Sequence, residues 1–294
     1  MKVKIGAQPI IWSNDDFHEL GGQTSLETCL REMREAGYEG TELGHKFPKD
    51  AVKLKKILDP IGLQLISGWH SSYILSRPVA EEEKDFRAHM DFLKAMGSKV
   101  VIIAECTDRT YHEKGGKIRI PGESSNLSED QWSKLTSGLE HLTAITKENG
   151  MELAYHHHMG TVIQSESEVD MLMEKTKNMK LLFDTGHLTY AGANAFNVLK
   201  KHGKRVGHVH LKNIRPEIIK EAHNKHYDFF TAVSKGVFNI PGDGGIDYGP
   251  IFNHLKELGY QGWMVVEAEQ DPAKANPFEY ASRARKYIKT MIGV

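Results

Sequence analysis

Four apolar runs in the second half of the chain end in histidines or carboxylates. They read Ala154-Tyr155-His156-His157-His158, Leu182-Phe183-Asp184-Thr185-Gly186-His187, Val206-Gly207-His208-Val209-His210-Leu211-Lys212 and Val265-Val266-Glu267-Ala268-Glu269. A single strand-end histidine is more often a hydrogen-bonded wall residue than a ligand. Four such ends in succession favour a bound cation, because buried carboxylates are costly without a partner. Mixed imidazole and carboxylate donors suit Mn2+, Co2+ or Zn2+, whereas Mg2+ and Ca2+ prefer oxygen alone. If the runs are strands, side chains alternate with period two. His156 then shares a face with His158, His208 and His210 share one with Lys212, and Glu267 shares one with Glu269, while His157 turns toward the helices.

Other roles depend on the same placement. Lys212 is positioned either to polarise a carbonyl and steady an enolate oxygen or to make a surface salt bridge. His187, two residues past Thr185, is a candidate supporting donor or proton carrier. Earlier in the chain Glu42, Trp69, His70 and Glu105 stand at strand ends. Together with Glu269 they are the expected substrate contacts, Trp69 as an apolar wall for a ring or as a core aromatic, and Glu42 and Glu105 toward hydroxyls.

These residues need a scaffold that gathers strand ends on one face. Short β-rich runs are expected at 3–10, 40–44, 64–69, 99–104, 152–156, 180–184, 207–211 and 263–267. Between them, apolar residues recur at spacings of three and four in segments such as 25–36, 81–96, 130–148 and 248–258, the mark of amphipathic helices. Several helices stop at a glycine before the next strand: Gly37, Gly62, Gly97, Gly150 and Gly259. About eight such units with no linker, and no Gly-x-Gly-x-x-Gly after the first strand, favour one closed (β/α)8 barrel over residues 1–294 rather than an open doubly wound sheet. The longer segments 107–128 and 215–241 follow the fourth and seventh strands. They are expected to be lids over the site, or else surface loops or subunit contacts.

Composition narrows the partners. Lys and Arg number 38 against 39 Asp and Glu, a net charge of -1 that supplies no global field for nucleic acid. Two cysteines, Cys29 and Cys106, are too few for a disulfide framework. The opening Met-Lys-Val-Lys-Ile-Gly lacks a signal peptide's apolar core, and no stretch approaches the ~20 apolar residues of a membrane span, so a cytoplasmic protein is expected. No Gly-x-Ser-x-Gly elbow, P-loop or His-Glu-x-x-His helix is present, which leaves serine hydrolase, nucleotidase and zincin chemistry without support.

The strand ends resemble the xylose isomerase-like barrel superfamily, which includes ketose 3-epimerases, hydroxypyruvate isomerase and endonuclease IV. The epimerase ligands Glu, Asp, His and Glu fall here on His156, Asp184, His210 and Glu267, and Gly262-Trp263-Met264-Val265-Val266-Glu267 looks like the family's last strand. His156 departs from the epimerase pattern. The run Tyr155-His156-His157-His158-Met159-Gly160-Thr161, with Trp12-Ser13-Asn14-Asp15-Asp16 and Gly37-Tyr38-Glu39-Gly40-Thr41-Glu42-Leu43-Gly44, resembles the inosose dehydratases of myo-inositol catabolism. That resemblance implies removal of water from 2-keto-myo-inositol, a small cyclic polyhydroxylated ketone, with Mn2+ or Co2+, in a homodimer or homotetramer. Glu267 or His158 would be the base, and His187 or Lys212 the acid or oxyanion partner. An isomerase or epimerase acting through a metal-bound enediolate is the alternative. Endonuclease IV-like chemistry would need further His and Asp ligands that the seventh-strand region lacks, and a non-catalytic sugar-binding barrel would need no metal.

Overall fold

A computed structural model describes residues 2–294. The strands are β1 (Lys2–Ala7), β2 (Gly40–Thr41), β3 (Gln64–Leu65), β4 (Trp69–Ser72), β5 (Val100–Glu105), β6 (Glu152–His156), β7 (Lys180–Asp184), β8 (Val206–Leu211), β9 (Asn213–Ile214), β10 (Phe238–Asn239) and β11 (Gln261–Val266). The helices are α1 (Leu26–Glu35), α2 (Ala51–Ile61), α3 (Val79–Ala95), α4 (Glu129–Glu148), α5 (Glu166–Lys175), α6 (Thr185–Tyr190), α7 (Ala195–His202), α8 (Pro216–Lys225), α9 (Phe229–Ser234), α10 (Tyr248–Glu257) and α11 (Pro277–Ile292).

The main sheet is parallel, in the order β3-β2-β1-β11-β8-β7-β6-β5-β4. Its two ends are successive pieces of one stretch, residues 64–72, so the sheet closes on itself as an eight-position (β/α)8 barrel. The handover lies at residues 66–68. The Ile66 and Leu43 amides pair across to Thr41 and Ser67 carbonyls on one side, and the Ile102 amide donates to Gly68 on the other. The third strand expected at 64–69 is therefore two short strands that serve different neighbours. The first strand stops at Ala7 rather than residue 10, because Pro9 opens a short 3-10 turn whose Ile10 amide donates to the Gln8 side chain at 2.6 Å.

Local chemistry sets the helix ends. Ser25 caps α1, and Ser128 with Gln131 and Ser165 with Glu168 form reciprocal capping boxes on α4 and α5. The five glycines expected to end helices all adopt positive φ, between 68° and 93°, a backbone that side chains resist. No helix among the described residues is long and apolar enough to cross a membrane.

The core has three parts. Between strands and helices lies the large layer that includes Ile5, Leu30, Met33, Leu139, Leu181 and Leu255. Inside the barrel, Val100, Ile102, Ala154 and Leu182 form a small apolar plug against Trp69. A separate cluster, including Phe17, Tyr111, Ile118, Met159, Tyr190, Phe229 and Phe238, covers the face where the strands end. That cluster draws on both long segments. Segment 107–128 supplies Tyr111 and Ile118, while segment 215–241 folds into α8, α9 and β10, the last antiparallel to β9 through Phe238 and Ile214.

Candidate metal centre

Parallel closure brings the ends of β6, β7, β8 and β11 side by side. His156, Asp184, His210 and Glu267 each offer a ligand atom, and these atoms all lie within 4.8 Å of one another. His156 Nε2 and His210 Nδ1 stand 3.7 and 3.5 Å from Asp184 Oδ2, and His210 Nδ1 is 2.6 Å from Glu267 Oε2.

The surroundings choose which atom of each residue is free. His156 Nδ1 donates to the His157 carbonyl at 2.6 Å, leaving Nε2 with its lone pair toward the cluster. His210 Nε2 meets Glu42 at 3.2 Å, which leaves Nδ1. Asp184 Oδ1 accepts from the His187 amide at 2.7 Å, whereas its Oδ2 is buried with no hydrogen-bond partner, and His210 Nδ1 faces the Glu267 carboxylate. An orphaned carboxylate oxygen grouped with two imidazole nitrogens and a second carboxylate fits a divalent cation well.

Charge is arranged around this point. Burial alone would raise the Glu42 pKa, yet the facing His210 and His208 hold it well below the carboxylate range. Glu267 is likewise opposed by burial and held low by Lys212 and His210. Lys212 is fully buried, pairs with Glu267, and lies 2.5 Å from Glu269 and 2.8 Å from His187 Nε2. Burial lowers the pKa of the Lys212 amine, but Glu267 and Glu269 outweigh it and keep the group an ammonium. Glu269 is pushed up to about 8 by burial, against the pull of Lys212 and with Glu267 adding.

A cavity of about 480 Å³ opens over the centre. His156, His210, Glu267, Glu269, His158, Glu42 and Trp69 line it, so these expected site residues are brought together. The Trp69 ring centroid stands 5.4 Å from those of both His156 and His158, where it forms the apolar wall. His158 donates through Nδ1 to the Met159 carbonyl at 2.8 Å, and burial, with Lys212 nearby, pushes its pKa down to about 3.

Four expectations need correction. His187 and Lys212 do not line the cavity; they are buried against the carboxylates that do, Lys212 on Glu267 and Glu269 and His187 on Glu269. His70 faces the helices, with Nε2 2.7 Å from Glu82 and its ring on Phe86, because Trp69 takes the inward position and neighbours on a strand alternate. Glu105 is also turned away. It accepts from Ser72 at 2.8 Å, the Ile74 amide at 2.9 Å and Thr107 at 2.5 Å, and so anchors loops.

The sequence reading missed the opposite wall. Asp15, Asp16, His45 and Arg109 line the cavity from loops. Arg109 follows Asp108, whose φ is 55°, and its Nη1 is 3.5 Å from Ser71. Asp16 is pushed up to about 7, chiefly by burial and then by Asp15. The Asp15-Asp16 pair within the quoted run was the available signal, whereas Arg109 sits in a loop with no periodicity to single it out.

Comparison with known proteins agrees with this geometry. The family model for the xylose isomerase-like TIM barrel matches residues 30–291. An inosose dehydratase of Clostridium botulinum is 47% identical over 292 residues, covering 98% of this chain and 97% of that protein. Among solved structures, IOLI protein with a bound zinc atom superposes with a TM-score of 0.71 at 16% identity, covering 99% of this chain and 98% of that one. The probable 3-DHS dehydratase AsbF of Bacillus anthracis superposes with a TM-score of 0.71 at 13% identity, covering 98% of this chain and 99% of that one. The chain thus belongs to the xylose isomerase-like TIM barrel family and, within it, to the inosose dehydratases, which are carbon–oxygen lyases.

Proposed function

We propose that this protein removes water from 2-keto-myo-inositol to give a trihydroxycyclohexane-1,2-dione, with Mn2+ or Co2+, or Zn2+ in their place, held by His156, Asp184, His210 and Glu267. The observation that carries this reading is the donor set itself: a neutral, correctly oriented histidine joins the carboxylates, and the unpartnered buried Asp184 Oδ2 beside it calls for a cation. Once bound, the cation supplies Lewis acidity to a ketone oxygen and its neighbouring hydroxyl.

The protein's own groups do the rest. His158 stays unprotonated at neutral pH, and with Nδ1 committed to Met159 its Nε2 is available to take the proton α to the ketone. Lys212 keeps Glu267 and Glu269 charge-balanced and in place. Trp69 offers its ring to the apolar face of the substrate carbocycle, and Arg109 offers a guanidinium to its hydroxyls. Tyr111, packed in the same apolar cluster as Phe229, adds an apolar side to the cavity.

A two-base epimerisation is less suited, because the position that holds Glu in the epimerases carries His156 here. NMR of the product from 2-keto-myo-inositol and metal-reconstituted protein separates the two. Dione supports dehydration; an isomeric inosose would assign the site to isomerisation.

A further inference from the structure

Elimination of water needs two proton transfers, one from carbon and one to the departing oxygen. The metal-side wall supplies His158 for the first, and its other cavity-lining group beside the ligands, Glu269, is tied through Oε1 to Lys212 at 2.5 Å. Lys212 and His187 are sealed from the cavity, and the Lys212 ammonium is already committed to Glu267, Glu269 and His187.

The facing wall holds a built pair. His45 Nδ1 lies 2.7 Å from Asp15 Oδ1, and the same oxygen accepts from the His45 amide at 3.0 Å. The His45 ring stacks on His18, centroids 4.3 Å apart and planes 14° apart, and His18 is tied to the Asp15 carbonyl at 3.0 Å. Gly44 lets the loop press against this pair: a Cβ there would meet Pro9 at 2.9 Å and Asp15 Oδ1 at 3.3 Å. Asp15, His18 and His45 all line the cavity, and His45 follows β2, three barrel positions from β6, which leads into His158. A histidine with one nitrogen fixed by a carboxylate and the other left free is the arrangement that moves protons in many enzymes.

We infer that His45, oriented by Asp15, is the acid that protonates the departing β-hydroxyl. The inference rests on the dehydration reading. His158 Nε2 takes the α-proton, and the C–H electron pair forms the new C=C bond. The C–O bond breaks with its pair on oxygen, and the proton on His45 Nε2 passes to that oxygen, so that water leaves. The resulting enol tautomerises to the dione. Asp15 holds His45 through Nδ1 while the Nε2 proton is given up, and solvent returns that proton because the side chain is 24% exposed. Asp16 also lines the cavity, but no side chain fixes its orientation as Asp15 fixes His45.

The test compares His45→Ala, Asp15→Asn and Asp16→Asn, in metal-loaded protein, on two substrates: 2-keto-myo-inositol and its analogue with fluorine replacing the β-hydroxyl. Fluoride leaves without general-acid help. We expect His45→Ala to lose about 10²- to 10³-fold in kcat on the natural ketone, to keep near-wild-type turnover of the fluoro analogue, to retain its metal, and to recover with added imidazole. Asp15→Asn should show a smaller loss with the same substrate dependence. Equal losses on both substrates, unchanged turnover of the ketone, or the leaving-group dependence appearing in Asp16→Asn instead would each overturn the assignment. If wild-type protein turns over neither substrate, the dehydration reading itself fails and the assignment falls with it.

Discussion

The two walls of the cavity are built on different terms. On the metal side, His156, Asp184, His210 and Glu267 stand at or directly after β6, β7, β8 and β11, and each has its working atom chosen by a partner behind it. On the other side, Asp15, Asp16, His45 and Arg109 stand on loops, one of them following a left-handed residue. The difference teaches where precision is needed. A cation tolerates little error in ligand position, so its donors are mounted on the rigid barrel, whereas a hydroxyl-rich substrate is met by side chains carried on loops.

If that division is real, changes on the two walls must have different signatures. The largest effect is expected from Asp184→Ala, which removes the orphaned Oδ2: kcat should fall by about 10³-fold or more, with loss of bound metal measured by elemental analysis. Next is Glu42→Gln, which loosens His210 without replacing any of the four ligands. Metal affinity should drop by about 10- to 100-fold, and turnover should return when metal is raised to saturation. Arg109→Ala should act oppositely, raising KM by roughly 10-fold for the loss of a charged hydrogen-bond donor while metal affinity stays as it was. An unchanged KM in that variant would show that the loop wall does not meet the substrate.

The smallest effect on activity is expected from His70→Phe. The ring faces Glu82 and Phe86, away from the cavity, so kcat/KM should hold while chemical denaturation shows a loss of about 1–3 kcal/mol for the stranded Glu82 partner. A large fall in kcat with normal stability would instead put His70 in the site.

The same division explains how much could be read from the sequence. The barrel and the four ligands were legible because apolar runs of fixed length, each ended by a polar residue, encode both a strand and what its end presents. Period-two alternation placed His156, His158, His210 and Glu267 on the cavity side. The same rule, applied across Trp69 and His70, would have turned His70 outward, and treating both as site residues ignored it. Glu105 looked like a substrate contact because a strand-end carboxylate and a loop anchor have the same local sequence; only the amides of residues 74 and 75 folding back onto it tell them apart. Lys212 and His187 were placed near the right carboxylates, but whether a side chain reaches the cavity or stops beneath it depends on what α6 and β10 pack above. Arg109 and His45 gave no periodic signal, since their positions come from loop conformation.

The most direct test of the central claim is to strip the protein of metal, add back Mn2+ in steps, and follow dione formation from 2-keto-myo-inositol against bound metal. The account expects turnover to rise in proportion to occupancy and to level off at one ion per chain, with anomalous scattering placing that ion among His156, Asp184, His210 and Glu267. Full turnover by metal-free protein, or an ion bound elsewhere in the barrel, would contradict it.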